Sequence, residues 1–339
     1  MMKKYILIAA VLSILFIPGC YDMTDIENVK SISAIGVSKS SITFCTVTTT
    51  PDEKIYGFDV YEFETDNIYD GLNEISLTTG KEASISHLEA VLFEKDCPVE
   101  IYKSISSVVA AGIESHPKVM TAISEIPVKE LFESINIPSD TSLYKIISDV
   151  LNDKFVSVTE CSILDLYYGT NFSKDAVVPV IRLNEDKNIE HCGCACITNN
   201  DIMFFNKDIT KTINLLSHKN KPVFYELPFG DAAVNMINLK AKFDKDTNFL
   251  MIDVDLIYNL ANHDKDAERK ITDRIKSDIA KIIDYKDMGY DVFNIYKYVL
   301  KQFYTEKELK DFLNKHGGRE NLLKSINYNI DVGIKRGDF

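Results

Sequence analysis

Between Met251 and Tyr258 the chain reads MIDVDLIY, apolar and polar in turn, and Met236 to Phe243 repeats the pattern more loosely. A period of two puts one face of a strand in a core and the other in water, so both stretches predict half-buried antiparallel strands. Val223 to Leu227 reads as a third strand. Ile326, Tyr328, Ile330, Val332 and Ile334 alternate along a last one. Earlier strands are predicted at Ser31–Val37, Ser41–Thr50, Ile55–Phe63, His87–Glu94 and Val119–Ser124, at AVVPVIRL from Ala176, and at Ile189–Thr198 and Asp201–Asn206. Pro51 to Lys54 and the Asn199-Asn200 pair supply turns.

Helical spacing of apolar residues marks Asn67–Leu77, Val99–Glu114, Leu143–Leu151 and Lys207–Ser217. A longer tract, Asp264 to Asp284, carries a stripe of Ile271, Ile275, Ile279, Ile282 and Ile283. Gly289 interrupts it; helices are then predicted at Tyr290–Tyr304 and at Glu306–Lys315, the latter ending at Gly317-Gly318. There is no internal repeat and no low-complexity segment. Helices and strands in this order predict an α+β protein of more than one domain, with mixed or antiparallel sheets and helices packed on them. The polar stretch NEDKNIE, from Asn184, is the expected boundary between an N-terminal region, 20–186, which has room for two subdomains, and a C-terminal domain, 187–339.

The first residues, MMKKYILIAAVLSILFIPGC, set the cellular address. Lys3 and Lys4 precede an apolar run from Ile6 to Ile17, the layout of a secretory signal peptide. As a helix that run would rise only about 18 Å, against a hydrocarbon core of roughly 30 Å. Pro18 and Gly19 then break it. Ile17-Pro18-Gly19-Cys20 is similar to a bacterial lipobox, in which the cysteine is acylated and becomes the first residue of the mature chain. Residues 1–19 are thus expected to be a cleaved lipoprotein signal peptide and Cys20 the lipidation site. A signal cleaved elsewhere, with Cys20 incidental, is the plainer alternative. Two or more acyl chains suffice for stable anchoring where one would be marginal.

The chain has 339 residues and a net charge of −13, which becomes −15 without the two leader lysines. That sign argues against nucleic acid as a partner and against electrostatic docking on anionic lipid. The seven cysteines are Cys20, Cys45, Cys97, Cys161, Cys192, Cys194 and Cys196. Their spacing dictates no disulfide pairing.

His191-Cys192-Gly193-Cys194-Ala195-Cys196 is the one stretch that suggests chemistry. On a regular strand the three thiols would share a face and His191 would take the other. They would then span roughly 13 Å, too far for one tetrahedral zinc. Small thiols filling a crowded inner face is the better expectation. The chain contains no G-x-S-x-G, H-E-x-x-H, P-loop or G-x-G-x-x-G motif. His87, at the head of an apolar strand, is expected to be a packing residue. No catalytic, cofactor-binding or metal-binding residues are expected, and the protein is not expected to be an enzyme.

Cys20-Tyr21-Asp22 followed by Ala34-Ile35-Gly36-Val37 resembles the start of the Ger(x)C family, the C subunits of spore nutrient-germinant receptors. The likeness continues at Ser86–Phe93, at Gly193–Asn206, at Asp287-Met288-Gly289-Tyr290 and at Asn327–Arg336. It spans nearly the whole mature chain through order and spacing. Tyr21 stands where the family usually has Trp. The resemblance implies a lipoprotein on the outer face of the spore inner membrane, beside integral-membrane A and B subunits, contributing assembly or signalling. The membrane lipid would be held through acylated Cys20. A lipid-anchored solute-binding protein of a transporter is the alternative. Two α/β lobes of repeated βαβ units would be its mark, and the alternation from Val223 to Tyr258 reads differently. An exported hydrolase would need a nucleophile–base spacing that is not present.

Overall fold

The structure is a computed structural model and describes residues 28–49, 56–112, 119–135, 143–152, 160–172, 175–217, 222–227, 230–260, 266–285, 290–292 and 295–337. Its helices and strands assemble around two separate sheets, an α+β architecture as expected.

The first sheet is built outward from β1 (Val29–Val37). On one side β2 (Ile42–Thr49) and β3 (Tyr56–Phe63) add as an antiparallel meander. On the other, β5 (Ala90–Glu94), β6 (Met120–Ser124) and β7 (Ala176–Leu183) add in parallel. The antiparallel strands β8 (Ile189–Ile197) and β9 (Ile202–Asn206) complete that edge. A short β4 (Glu82–Ser84) lies parallel to the first residues of β1.

Parallel neighbours need crossovers, and these bring helices to both faces of the sheet. That is why AVLFE and MTAIS read as unbroken buried runs rather than as alternation. On one face α1 (Ile68–Thr79), α2 (Val99–Ala111) and α5 (Ile163–Asn171) pack over Ile35, Phe44, Val91, Phe93, Ile123 and Val178. Tyr102 of α2 stacks on Phe93 with ring centres 4.3 Å apart. On the other face α3 (Val128–Ser134) and α4 (Leu143–Asn152) cover Ala34, Leu92, Ala122 and Ile181. α3 can sit this close because Gly36 beneath it has no side chain: a Cβ there would stand 2.6 Å from Val128.

The second sheet has the order β10 (Val223–Leu227), β11 (Gly230–Asp244), β12 (Phe249–Leu260), β13 (Asn327–Arg336). β12 shows the expected alternation: Leu250, Ile252, Val254, Leu256 and Tyr258 are buried while Met251, Asp253 and Asp255 face solvent. β13 pairs with β12 in parallel, so the chain must cross over between them. The crossover is α7 (Ala267–Asp284), α8 (Tyr296–Leu300), α9 (Glu306–Lys315) and α10 (Arg319–Ser325). Ile271, Ile275 and Ile279 of α7 enter the core of this sheet. Burying a side chain of that size stabilises by roughly 1.5–3 kcal/mol.

α6 (Lys207–Ser217), between β9 and β10, belongs to both cores. Its Ile213 packs with Cys194, Cys196 and Phe205, and its Leu215 with the second sheet.

Residues 184–188, at the expected boundary, form the turn of the β7–β8 hairpin, and the chain leaves the first sheet after β9. Other expectations differ from what is found. The strand expected from His87 begins at Ala90, and His87 is exposed in the preceding turn. The helix expected over 290–304 is confined to Tyr296–Leu300, because the Asp291 carboxylate takes the amides of Ile295 and Tyr296 and fixes the helix start there. α3, α5 and α10 were not anticipated.

The faces of β8 also differ from expectation. A bulge opposite Val180 and Ile181 makes Cys192 the extra residue, since Gly193 pairs with Val180 and His191 with Ile181. Cys194 and Cys196 face α6, while Cys192 packs with Ala195 and Ile197 in the opposite core. Its pairing puts His191 on the face of Ile181, opposite to Cys192. Gly193 lets β9 approach: a Cβ there would lie 2.1 Å from the Phe205 carbonyl oxygen. Gly193→Ala is therefore expected to destabilise the protein by about 2–3 kcal/mol, read from the midpoint of urea unfolding. An unchanged midpoint would mean that β9 can move away at no cost.

Candidate functional site

The densest polar constellation among the described residues lies where the two sheets meet. Asp175 immediately precedes β7 of the first sheet; Asp291 and Arg319 come from the crossover of the second. Gly317 and Gly318, with φ of 73° and 96°, end α9 and turn the chain so that Arg319 opens α10. Such angles suit glycine because it has no Cβ. The Arg319 Nη2 donates to Asp175 Oδ1 at 2.8 Å and stands 3.7 Å from Asp291 Oδ2. Asp175 Oδ2 accepts the backbone N–H of Asp291. Asp291 Oδ2 accepts from the Tyr296 amide at 2.9 Å, and Oδ1 from that of Ile295. The guanidinium lies over the Tyr296 ring, 5.3 Å from its centre.

Both carboxylates are 1% exposed and Arg319 13%. One cation therefore faces two buried acids. Burial and the neighbouring Asp175 push the Asp291 carboxyl up to about 6. Burial also raises Asp175, against the pull of Arg319. The carboxylate oxygens are spent on backbone amides and the guanidinium, so the arrangement suits a joint between sheets rather than proton transfer to a substrate. A second contact joins the same units: Asn200 Nδ2, in the β8–β9 turn, donates to Glu320 Oε1 of α10 at 2.9 Å.

Beside the joint, Asp278 of α7 is buried and meets Arg274 Nε at 3.2 Å and Thr212 Oγ1 of α6 at 3.3 Å. Thr212 also lies 3.1 Å from the Tyr225 hydroxyl of β10. These contacts fix α6 against the second sheet.

Cys20 lies outside the described residues, as do His116, His218 and His263. Cys45, Cys97, Cys161, Cys192, Cys194 and Cys196 form no disulfide among the described residues. Burial pushes Cys45, Cys97, Cys192 and Cys194 up to about 12. A neutral, enclosed thiol is a poor nucleophile and metal ligand. Thr210 Oγ1 donates to Cys194 Sγ at 3.3 Å, and Cys196 Sγ approaches Asp175 at 4.0 Å. His191 is 5% exposed, with both ring nitrogens unpartnered, and burial lowers it to about 4. Among the described residues no group of three His, Cys, Asp or Glu side chains is placed to hold a metal.

Sequence reasoning missed the Asp175–Arg319–Asp291 joint. Its members stand up to 144 positions apart, and only Gly317-Gly318 marks one of them locally.

A mixed nine-stranded sheet and a second four-stranded one, locked by buried charge, define the class of an α+β protein with two joined cores. The same fold occurs in the crystal structure of the GerBC protein: TM-score 0.52 at 11% identity, covering 88% of this chain and 93% of that one. The model of the spore germination protein N-terminal domain matches residues 22–183, nearly all of the first sheet through β7. Residues 22–183 thus carry the N-terminal domain of the spore germination protein family. No curated protein sequence gives a significant match.

Arg319→Met would leave two buried carboxylates without a cation and is expected to cost about 3–5 kcal/mol at pH 7 in urea unfolding. The joint should also respond to pH. Asp291 sits at about 6 in the folded protein against 3.8 as the reference value. The folded state thus holds this proton more tightly, and the resulting stability is full at low pH and lost as pH rises through about 6. Wild-type stability minus that of Asp291→Asn should fall by up to about 3 kcal/mol between pH 4 and 7. A flat difference would show that Asp291 ionises without penalty.

Proposed function

We propose that this chain is the lipid-anchored, non-catalytic C subunit of a spore nutrient-germinant receptor, held on the outer face of the spore inner membrane. It assembles there with integral-membrane A and B subunits and takes part in transmitting the germination signal. The observation that carries this is the family match beginning at Asp22, two residues after the lipobox cysteine. Cleavage after Gly19 would thus deliver the family domain almost directly onto the membrane, through acyl chains on Cys20.

Two structural features support the reading. Among the described residues no helix is long and apolar enough to cross a membrane, which agrees with attachment through a lipid on Cys20. The most elaborate polar cluster spends its charges on joining two sheets, as an assembly or relay component requires. Confinement to the membrane plane would raise the effective concentration of the subunit near its partners.

Pull-down of the tagged chain from detergent-solubilised spore membranes is expected to recover two multi-spanning proteins and an acylated Cys20 peptide, identified by mass spectrometry. Recovery with an ATP-driven permease instead would put the solute-binding reading first. Cys20→Ala is expected to release the chain from the membrane fraction or leave it unprocessed, and to lower receptor abundance. Normal retention and germination in that variant would overturn the anchor.

A further inference from the structure

Three aromatic rings stand together at one end of the first sheet. Tyr167, Tyr168 and Phe172, on and just after α5, have ring centres 5.6 to 5.7 Å apart. Tyr168 is 51% exposed and Phe172 54%. A core would take such rings inside, and a soluble surface seldom gathers three.

Their position in the fold is fixed by α5. Ser162, its N-cap, bridges Met120 at the start of β6, and Gly169 touches Ala176 at the start of β7. The helix thus lies at the end where the parallel strands begin. β1 runs parallel to β5, and β5 to β6 and β7 in turn, so the chain enters the fold at this same end. Ala34 of β1 is level with Ala90, the first residue of β5, so Val29 projects about 17 Å further outward. Three strand spacings, about 14 Å, separate β1 from β7. α1 also ends here, since β4 pairs with the first residues of β1, and its Leu77 is 79% exposed.

Resting on the reading of Cys20 as the acylated residue, we propose that this sheet end lies against the bilayer, with Tyr168, Phe172 and Leu77 seated at the headgroup level. Cys20 precedes Asn28 by eight residues, a tether of at most about 28 Å, which keeps this end near the lipid. Aromatic rings with a polar tip favour the membrane–water boundary, and an apolar neighbour adds buried area. The net charge of −15 on the mature chain makes neutral lipid the matching surface. The subunit then has a fixed attitude, its parallel strands pointing away from the membrane and their opposite ends free for other contacts.

The chain contains no Trp, so a single one reports its own surroundings. Tyr168→Trp and Phe172→Trp would be made in the acylated mature chain on phosphatidylcholine vesicles with brominated acyl chains. Tyr304→Trp, at a position 98% exposed in the second unit, is the control. Flotation establishes attachment first. The expected result is a blue shift and severalfold stronger bromine quenching at 168 and 172, with the control unchanged. If wild type fails to float, the anchor reading fails and the proposal with it. If the chain floats but 168 and 172 remain as water-exposed as 304, the anchor stands and the docked face is wrong. A shift seen only when A and B subunits are present assigns the patch to a protein partner and overturns the lipid assignment.

Discussion

Asp175, Asp291 and Arg319 impose the constraint on which the relation between the two sheets depends. A buried ion cannot be left without a partner, and Arg319 is the one cation within reach of both carboxylates among the described residues. Asp175 belongs to the first sheet and the other two to the second, so satisfying the charges and fixing the relative position of the sheets are one requirement. An apolar contact of the same size could slide by an ångström and lose little. The hydrogen bonds between the sheets, Arg319 to Asp175 at 2.8 Å and Asn200 to Glu320 at 2.9 Å, tolerate far less. Buried ion pairs are weak sources of net stability, so what this one supplies is register.

α6 works to the same end by different means. It follows directly on β9 and lends one side to each core, so the sheets share a helix as well as a charge. The bulge at Cys192 serves this arrangement. It turns Cys194 and Cys196 toward α6 while keeping Ala195 and Ile197 in the core of the first sheet. Two small thiols let the helix lie close, and Gly193 lets β9 follow.

Much of this architecture was legible in the residues. The alternation along β12 and β13 and the isoleucine stripe of α7 identified the second sheet and its covering helix, because one face of each meets water. The compact runs of β5 and β6 were legible as buried strands. The shorter helices were not, since seven or nine residues give too few turns for a periodicity to stand out. Ser162 and Asp165 form a capping box that announces α5 and could have been read. The faces of β8 were misread because a bulge leaves no pattern, only a glycine beside it. The joint was illegible in principle: no local rule links an aspartate before a strand to an arginine after a Gly-Gly turn far downstream.

The parallel pairing of β13 with β12 bears on how the protein is made. The strand that closes the second sheet follows its three sheet neighbours in the chain, and four helices separate it from β12. Until residues 327–336 have emerged, the inward face of β12 lacks its flanking strand and the core beneath α7 is incomplete. A chain folding in the order of its residues would thus have its leading sheet able to form while its trailing one waits. Asp175 would be waiting too, since its cation arrives 144 residues later. Closure of the second sheet thus waits for residues 327–336, whereas the joint is complete once Arg319 has emerged; a chain stalled before Arg319 would hold neither.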